Sequence, residues 1–299
     1  MNANPADQVL QEVSRVLADS GIPGPVQRSA PVSGGDINRA MRVTCPGDSF
    51  FVKWNDKDIP GMFTAEAKGL SLLHESGTVR TPRVIGMREK TRDCPAFLIL
   101  EWIPSHRHAR QGVASEQLGH DLAALHKNTT SRFGLDHSNF IGSLTQTNEE
   151  RDDWLAFYRD QRIQPMVQLA ASKRLMPPRR MRMIERLIAR LDQWIDSSAE
   201  PALLHGDLWS GNYMITDGDV PVLIDPAVYY GNREVELAFT ELFGGFSARF
   251  YAAYNESWQL DDGYHERRDL YQLYPLLVHL NLFGETYGAS VDRVLRHYV

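Results

Sequence analysis

The stretch LLHGDLWSGNYMI, residues 203–215, decides the reading of this chain. It sets His205, Asp207 and Asn212 between two apolar runs. A carboxylate beside a hydrophobic core is costly unless it is paired or meets a metal. Asp207 therefore points to chemistry rather than packing. Five positions separate it from Asn212, and a second aspartate, Asp225, ends the apolar run VLID. Phosphoryl transfer uses such a set. One carboxylate takes the proton of an attacking hydroxyl, while an amide oxygen and another carboxylate hold the magnesium that neutralises ATP's phosphates. The spacing D-x-x-x-x-N matches a protein-kinase catalytic loop, with Asp225 in the place of the metal-binding aspartate. By itself the spacing is common, and an Asx-rich turn would also satisfy it. His205, Gly206 and Asp225 together make it specific.

Composition allows this chemistry and excludes other classes. The 299 residues are 42% apolar and 23% charged, with a formal charge of −6. Nothing in that balance suggests a general affinity for nucleic acid or anionic membranes. The Arg-rich PPRRMRMIER (177–186) reads as the solvated face of a helix. Cys45 and Cys94 form no CxxC pair, which fits a reducing compartment and offers no metal site. The N-terminus lacks the basic start and apolar core of a signal peptide, and no run is long enough to span a bilayer. A cytoplasmic protein is the expectation.

The first hundred residues read as strand-rich. QVLQEVSRVLAD (8–19) carries a helical stripe, and Pro46-Gly47 joins the strands MRVTC and FFVKW as a hairpin. A helix over 63–77 follows, stopped by Gly77, and then a strand pair around RVIGMRE and AFLILEWI. Beyond residue 104 the pattern turns helical. Ser115 is a candidate N-cap for a helix over 115–129. DDWLAFYRDQRIQPMVQLAAS and RRMRMIERLIARLDQWI read as two amphipathic helices, and HERRDLYQLYPLLVHLNLFGETYG as one long buried helix. Asp217-Gly218 turns a hairpin over 213–225. There is no internal repeat and no low-complexity segment. The division expected is 1–103, a nucleotide-binding lobe, and 104–299, a helical lobe with the catalytic loop and acceptor site.

The first part supplies the remaining nucleotide contacts. Gly34 and Gly35 in VSGGDIN (32–38) could bring backbone amides to phosphate oxygens, although a plain hairpin turn reads equally well. Lys53 ends an apolar strand, where a lysine usually snorkels. Glu66 opens the next helix and could pair with it, orienting the lysine on the α- and β-phosphates. In FLILEWIP (97–104), backbone groups around Glu101, Trp102 and Ile103 could bond adenine, or the segment is simply a core strand leaving its sheet. His205 reads as a structural residue that holds the loop, and His126 and His279 as core or helix-surface residues. No His/Cys cluster has zinc spacing, and no G-x-S-x-G elbow supports a hydrolase.

With these residues assembled, the chain resembles the fructosamine kinases, or ketosamine 3-kinases, of the aminoglycoside-phosphotransferase branch of the kinase-like fold. SGGDIN, FFVKWN, AEAKGL, LGHDLAALH, NFIGSLTQTN, LLHGDLWSGN, IDPAVYYGNREVELAFTELFGGF and LYQLYPLLVHLNLFG carry the likeness over nearly the whole chain. The resemblance implies an α+β, two-lobed protein-kinase-like fold with a small β-rich N-lobe and a larger, mainly helical C-lobe. It implies ATP and Mg2+ in the cleft and phosphorylation of a ketosamine at O3, after which the product falls apart and the amine is deglycated. Carried onto this sequence, Asp207 is the base, Asn212 and Asp225 the magnesium ligands, and Lys53 with Glu66 the phosphate-positioning pair. Trp209 is placed to stack on the sugar, or else to plug the space under the loop. Two departures stand out. Asp36 lies where many eukaryotic members have a cysteine, and Glu236 lies where an aspartate often precedes Leu-Ala. Two other readings stay open: a kinase for another small hydroxylated acceptor, such as an aminoglycoside or choline, and a catalytically silent nucleotide-binding module. A protein kinase fits less well, because no APE pattern follows Asp225. Oligomeric state and the choice between free and protein-bound acceptors are not legible.

Overall fold

A computed structural model describes residues 4–22, 24–33, 37–57, 59–104, 111–195 and 199–299. They form two compact units, one within residues 1–110 together with 214–225, the other within 111–213 and 226–299. The linear division at 103/104 differs from this in one respect beyond the boundary itself: residues 214–225 belong with the sheet. Leu223 N–H donates to Arg80 O (2.9 Å) and Asp225 pairs with Lys53, which ties the end of that hairpin to the first unit.

In the first unit, helix α1 (Pro5–Asp19) precedes strands β1 (Arg28–Val32), β2 (Arg39–Cys45) and β3 (Asp48–Asn55), then α2 (Met62–Glu75), β4 (Val84–Arg88) and β5 (Ala96–Glu101). The strands make an antiparallel sheet in the order β1-β2-β3-β5-β4. Cys45 pairs with Asp48, so Pro46-Gly47 is a two-residue turn, and Gly47 adopts the positive φ of 86° that a type II turn requires at its second central residue. Alternation along the strands sorts side chains to two faces. Val52, Trp54, Phe97 and Ile99 pack with Val9, Val13 and Leu17 of α1. Phe51, Leu98 and Leu100 pack with Phe63 and Leu70 of α2. Lys53 shares the second face, toward α2, and this is why a lysine on an apolar strand is buried rather than snorkelling at an edge.

The second unit contains α3 (Gln111–His126), β6 (Asn139–Ile141), β7 (Leu144–Gln146), α4 (Trp154–Phe157), α5 (Gln164–Ser172), α6 (Pro178–Ile188) and β8 (Ala202–Leu204). The hairpin β9 (Tyr213–Ile215) and β10 (Pro221–Leu223) lies at the junction of the two units in the chain. After it come β11 (Tyr229–Gly231), α7 (Arg233–Leu242), α8 (Ala248–Ser257), α9 (Tyr264–Tyr271), α10 (Leu273–Phe283) and α11 (Gly288–Tyr298). One apolar core built around Trp154, Phe157, Ile184, Leu277 and Leu295 joins α4, α5, α6, α7, α9, α10 and α11, while α3 packs against α8.

Four expectations need correction. Ser115 does not cap a helix, because α3 begins at Gln111 and Ser115 lies inside it. The long helix foreseen over the final segment is two helices and a 3-10 turn (Glu285–Tyr287). Pro275 has no N–H for the Tyr271 carbonyl and its ring clashes with that position, so the helix restarts at Leu273. The helix expected over the DDWLAFYR stretch is interrupted by a π-helical turn at Tyr158–Ile163, immediately before Pro165 at the start of α5. Arg180 in the Arg-rich helix is also not solvated. It is buried between Glu285 and Asp292 (2.7 Å to each), while Arg179, Arg182 and Arg186 are exposed.

Candidate active site

The segment 205–212, the candidate catalytic loop, begins where β8 ends. Leu204 pairs with Tyr229 of β11, and the Ala227 N–H donates to His205 O (2.9 Å), holding the chain on a second strand-like segment. Gly206 must then pass close to Ala227. Its φ is 84°, and a Cβ there would lie 2.0 Å from the Ala227 carbonyl oxygen. Only glycine fits.

A buried carboxylate anchors this turn. Glu236 of α7 accepts the backbone N–H groups of His205 (3.0 Å) and Gly206 (2.6 Å). It also accepts His126 Nε2–H (3.0 Å), while His126 Nδ1 and the Tyr254 hydroxyl share a hydrogen bond of 2.8 Å. Burial by itself would raise the Glu236 pKa, but the hydrogen bond and charge of His126, with His205 and the Gly206 amide, outweigh it and hold the carboxyl below its ordinary value. His205 is fully buried, and its Nδ1 accepts the Asp207 N–H (3.3 Å). His126 is therefore more than a core histidine. The sequence reading of a core or helix-surface residue missed this role, because His126 and Glu236 lie 110 positions apart and no local pattern links them.

Asn212 completes the loop. Its Nδ2 donates to both the main-chain carbonyl of Asp207 (2.8 Å) and the carboxylate Oδ2 (3.0 Å). A backbone turn from Asn212 N–H to Trp209 O (2.9 Å) brings the two residues together, which gives the five-residue spacing its physical meaning. With the amide nitrogen directed at Asp207, the amide oxygen is the atom left to meet a cation. Trp209 is 39% exposed, so it is not a buried plug. Its indole lies over Gly211, where a Cβ would come within 2.2 Å of the ring, and its edge meets Phe243. The FGGF segment (243–246) runs along the same loop. Gly244 and Gly245 have positive φ, a Cβ on Gly245 would strike Ser210, and Phe246 stacks 5.2 Å from Tyr213.

The first unit brings the other group together. Lys53 Nζ lies 2.5 Å from Glu66 and 2.6 Å from Asp225. Asp225 holds its place with φ 54°, one of three non-glycine residues with positive φ among those described. Burial would lower the Lys53 pKa, but the two carboxylates more than reverse it and keep the ammonium charged. One cation faces two anions. Burial raises Glu66, Lys53 opposes it and the Asp225 charge adds to it, so the Glu66 carboxyl is pushed up to about 7. A carboxyl whose folded pKa lies above its unfolded value of about 4.3 binds its proton more tightly when folded. Its contribution to stability is complete below that unfolded value and is lost as pH rises toward about 7. The melting temperature of the nucleotide-free protein, minus that of Glu66→Gln, is therefore expected to fall between about pH 5 and about pH 7 and to level off above. A rise across that window would contradict the assignment.

Glu101 and Trp102 are more committed than the sequence suggests. Glu101 N–H donates to Arg83 O (2.9 Å) and Trp102 N–H to Ser49 O (3.3 Å), while the Glu101 carboxylate meets Arg80 and Arg83. Arg42 stacks on the Trp102 ring at 4.6 Å, and Ile103 is buried. Gly34 and Gly35 lie outside the described residues. Among the described residues no cluster of three or more His, Cys, Asp or Glu could hold a metal, and no helix is long and apolar enough to cross a membrane.

The family model for fructosamine kinase matches residues 9–299. The chain belongs to the fructosamine kinase family. Among its relatives is a probable ketoamine kinase of Lactiplantibacillus plantarum, 42% identical over 277 residues that cover 91% of this chain and 95% of the relative. A chloroplastic protein-ribulosamine 3-kinase of Arabidopsis thaliana is 35% identical over 282 residues, covering 92% and 83%. The solved structure of a candidate fructosamine-3-kinase from Thermobifida fusca superposes with a TM-score of 0.84 at 35% identity, covering 100% of this chain and 99% of that one. Aminoglycoside phosphotransferase APH(4)-Ia, at 16% identity, has a TM-score of 0.65 over 98% and 99% of the two chains, which places this member of the fructosamine kinase family in the protein-kinase-like fold.

Proposed function

We propose that the protein transfers the γ-phosphoryl group of ATP to the O3 hydroxyl of a ketosamine, the adduct of a sugar and an amine. The observation that carries this reading is the Asp207–Asn212 pair on a loop anchored by Glu236, in a chain that belongs to the fructosamine kinase family. The relatives named as ketoamine and ribulosamine kinases supply the substrate class.

Asp207 takes the proton of the acceptor hydroxyl as its oxygen bonds to the γ-phosphorus and the bond to ADP breaks. Asn212 fixes the carboxylate for that transfer through its 3.0 Å hydrogen bond. Lys53, aligned by Glu66, meets the α- and β-phosphates. In the 101–103 segment two amides are already bonded within the protein, which leaves the Ile103 amide for the adenine. The donors Asn212 Oδ1 and the Asp225 carboxylate are hard oxygens in small number, a set that suits magnesium shared with phosphates and water. When bound, the ion neutralises charge on the phosphates. Catalysis then comes mostly from positioning and charge stabilisation. In the product the C2 carbonyl enolises toward C1, the C3 phosphate then leaves by elimination, and hydrolysis of the resulting C1 imine releases the amine.

The test is magnesium-dependent ATP consumption with fructosyl-lysine, ribulosyl-lysine, an aminoglycoside and no acceptor. Turnover that depends on a ketosamine is expected, and the two sugars rank the preference. Turnover with the aminoglycoside alone would keep the kinase and discard the ketosamine.

A further inference from the structure

Among the described residues, three Trp or Phe rings stand well exposed: Trp209 at 39%, Phe243 at 38% and Phe283 at 47%. They are not scattered. Trp209 meets Phe243 edge-on at 6.5 Å, Phe243 meets His279 at 4.7 Å, and His279 meets both Phe283 (5.6 Å) and Tyr287 (5.0 Å). These contacts form a continuous ladder of rings that starts two residues from Asp207. Isolated exposed apolar residues need no explanation, whereas a contiguous patch that begins at a reactive loop does.

The proposed acceptor has two ends. Its sugar hydroxyl goes to Asp207, and its amine carries a substituent that must leave that site in some direction. The amine is a secondary ammonium at neutral pH, and ring faces attract such cations. Its substituent is an alkyl or aryl chain, which loses water by lying along rings. His279 suits the same role. Its Nδ1–H donates to Pro275 O (2.8 Å), and burial holds its pKa below the ordinary value, so the imidazole is neutral and does not repel an ammonium.

We propose that the ladder Trp209–Phe243–His279–Phe283 binds the amine side of the ketosamine, and that it makes the enzyme prefer acceptors whose amine bears an extended apolar or aromatic chain. This rests on the ketosamine reading above. Phe243 and Phe283 are then specificity-determining residues remote from the transferred phosphate.

Two fructosamines with the same sugar test it, one built on methylamine and one on 4-phenylbutylamine. The wild-type kcat/KM ratio, phenylbutyl over methyl, is expected to be about tenfold or more, the value of one good ring contact. Phe283→Ala and Phe243→Ala should each cut that ratio several-fold, up to about tenfold, chiefly through KM, while Phe283→Tyr restores it. Sugar-free 4-phenylbutylamine should compete with the ketosamine in the wild type and weaken by a similar factor in Phe283→Ala. A wild-type ratio near unity, or alanine variants that lower both substrates equally, would overturn the proposal. Failure of the wild type to use either fructosamine would instead sink the ketosamine reading and this inference with it, and that outcome is visible before any variant is made.

Discussion

Asp207→Asn is expected to lower kcat by about 10²–10⁴-fold, the usual value of a positioned general base, with nucleotide affinity nearly unchanged. The substitution is close to isosteric. Asn212 Nδ2 donates to Asp207 Oδ2 and to its main-chain carbonyl, and an asparagine can turn its own amide oxygen to the same donor. The loop therefore keeps its geometry while losing the group that accepts a proton. The contacts assigned to ATP lie on Lys53, Glu66 and Asp225, which the change does not touch. Paired measurements of kcat and of equilibrium ATP binding check this. Full turnover in the variant would remove Asp207 from the mechanism.

Glu236→Ala is expected to be the most damaging change outside the reacting groups. It strands three donors in a dry interior: the amides of His205 and Gly206 and the Nε2–H of His126. Each buried donor left without an acceptor costs about 1–3 kcal/mol, so a loss of several kcal/mol and a Tm lower by roughly 10 °C are expected. Activity measured well below the new Tm should fall too, because the loop that carries Asp207 loses its anchor. Glu236→Gln keeps one acceptor oxygen but sets an NH2 against a donor, and should fall between. Because the Glu236 carboxyl is held below its ordinary pKa, this stabilisation is present above the unfolded value and is lost as acidification carries pH through the folded one. Thermal unfolding and kcat of the three proteins decide the matter. An unchanged Tm in Glu236→Ala would show that the loop is held by other means.

What was legible in the sequence was what short-range rules govern. The hairpin at Pro46-Gly47 follows from turn chemistry, and the alternation in FFVKW from the strand repeat. The bond between Asp207 and Asn212 spans five residues and one turn, so the pairing of these two positions was legible once His205, Gly206 and Asp225 were read beside them. Local rules also misled. Ser115 has the right side chain for a cap, but α3 starts upstream of it. The apolar pattern from Tyr264 to Phe283 suits one helix, and Pro275 divides it into two.

The sequence by itself determined the family to which the chain belongs and singled out the candidate catalytic loop and Glu66 as a candidate partner of Lys53, because each rests on residue types at short separations or on long runs of matching residues. Only the tertiary structure decided the rest. His126, Glu236 and Tyr254 meet across 110 and 128 positions of chain, Lys53 reaches Asp225 across 172, and the ring ladder joins Trp209 to Phe283 through three separate elements. No periodicity encodes such encounters. They exist because close packing brings distant elements within a few ångströms of one another, and because buried polar groups must find partners wherever the fold supplies them.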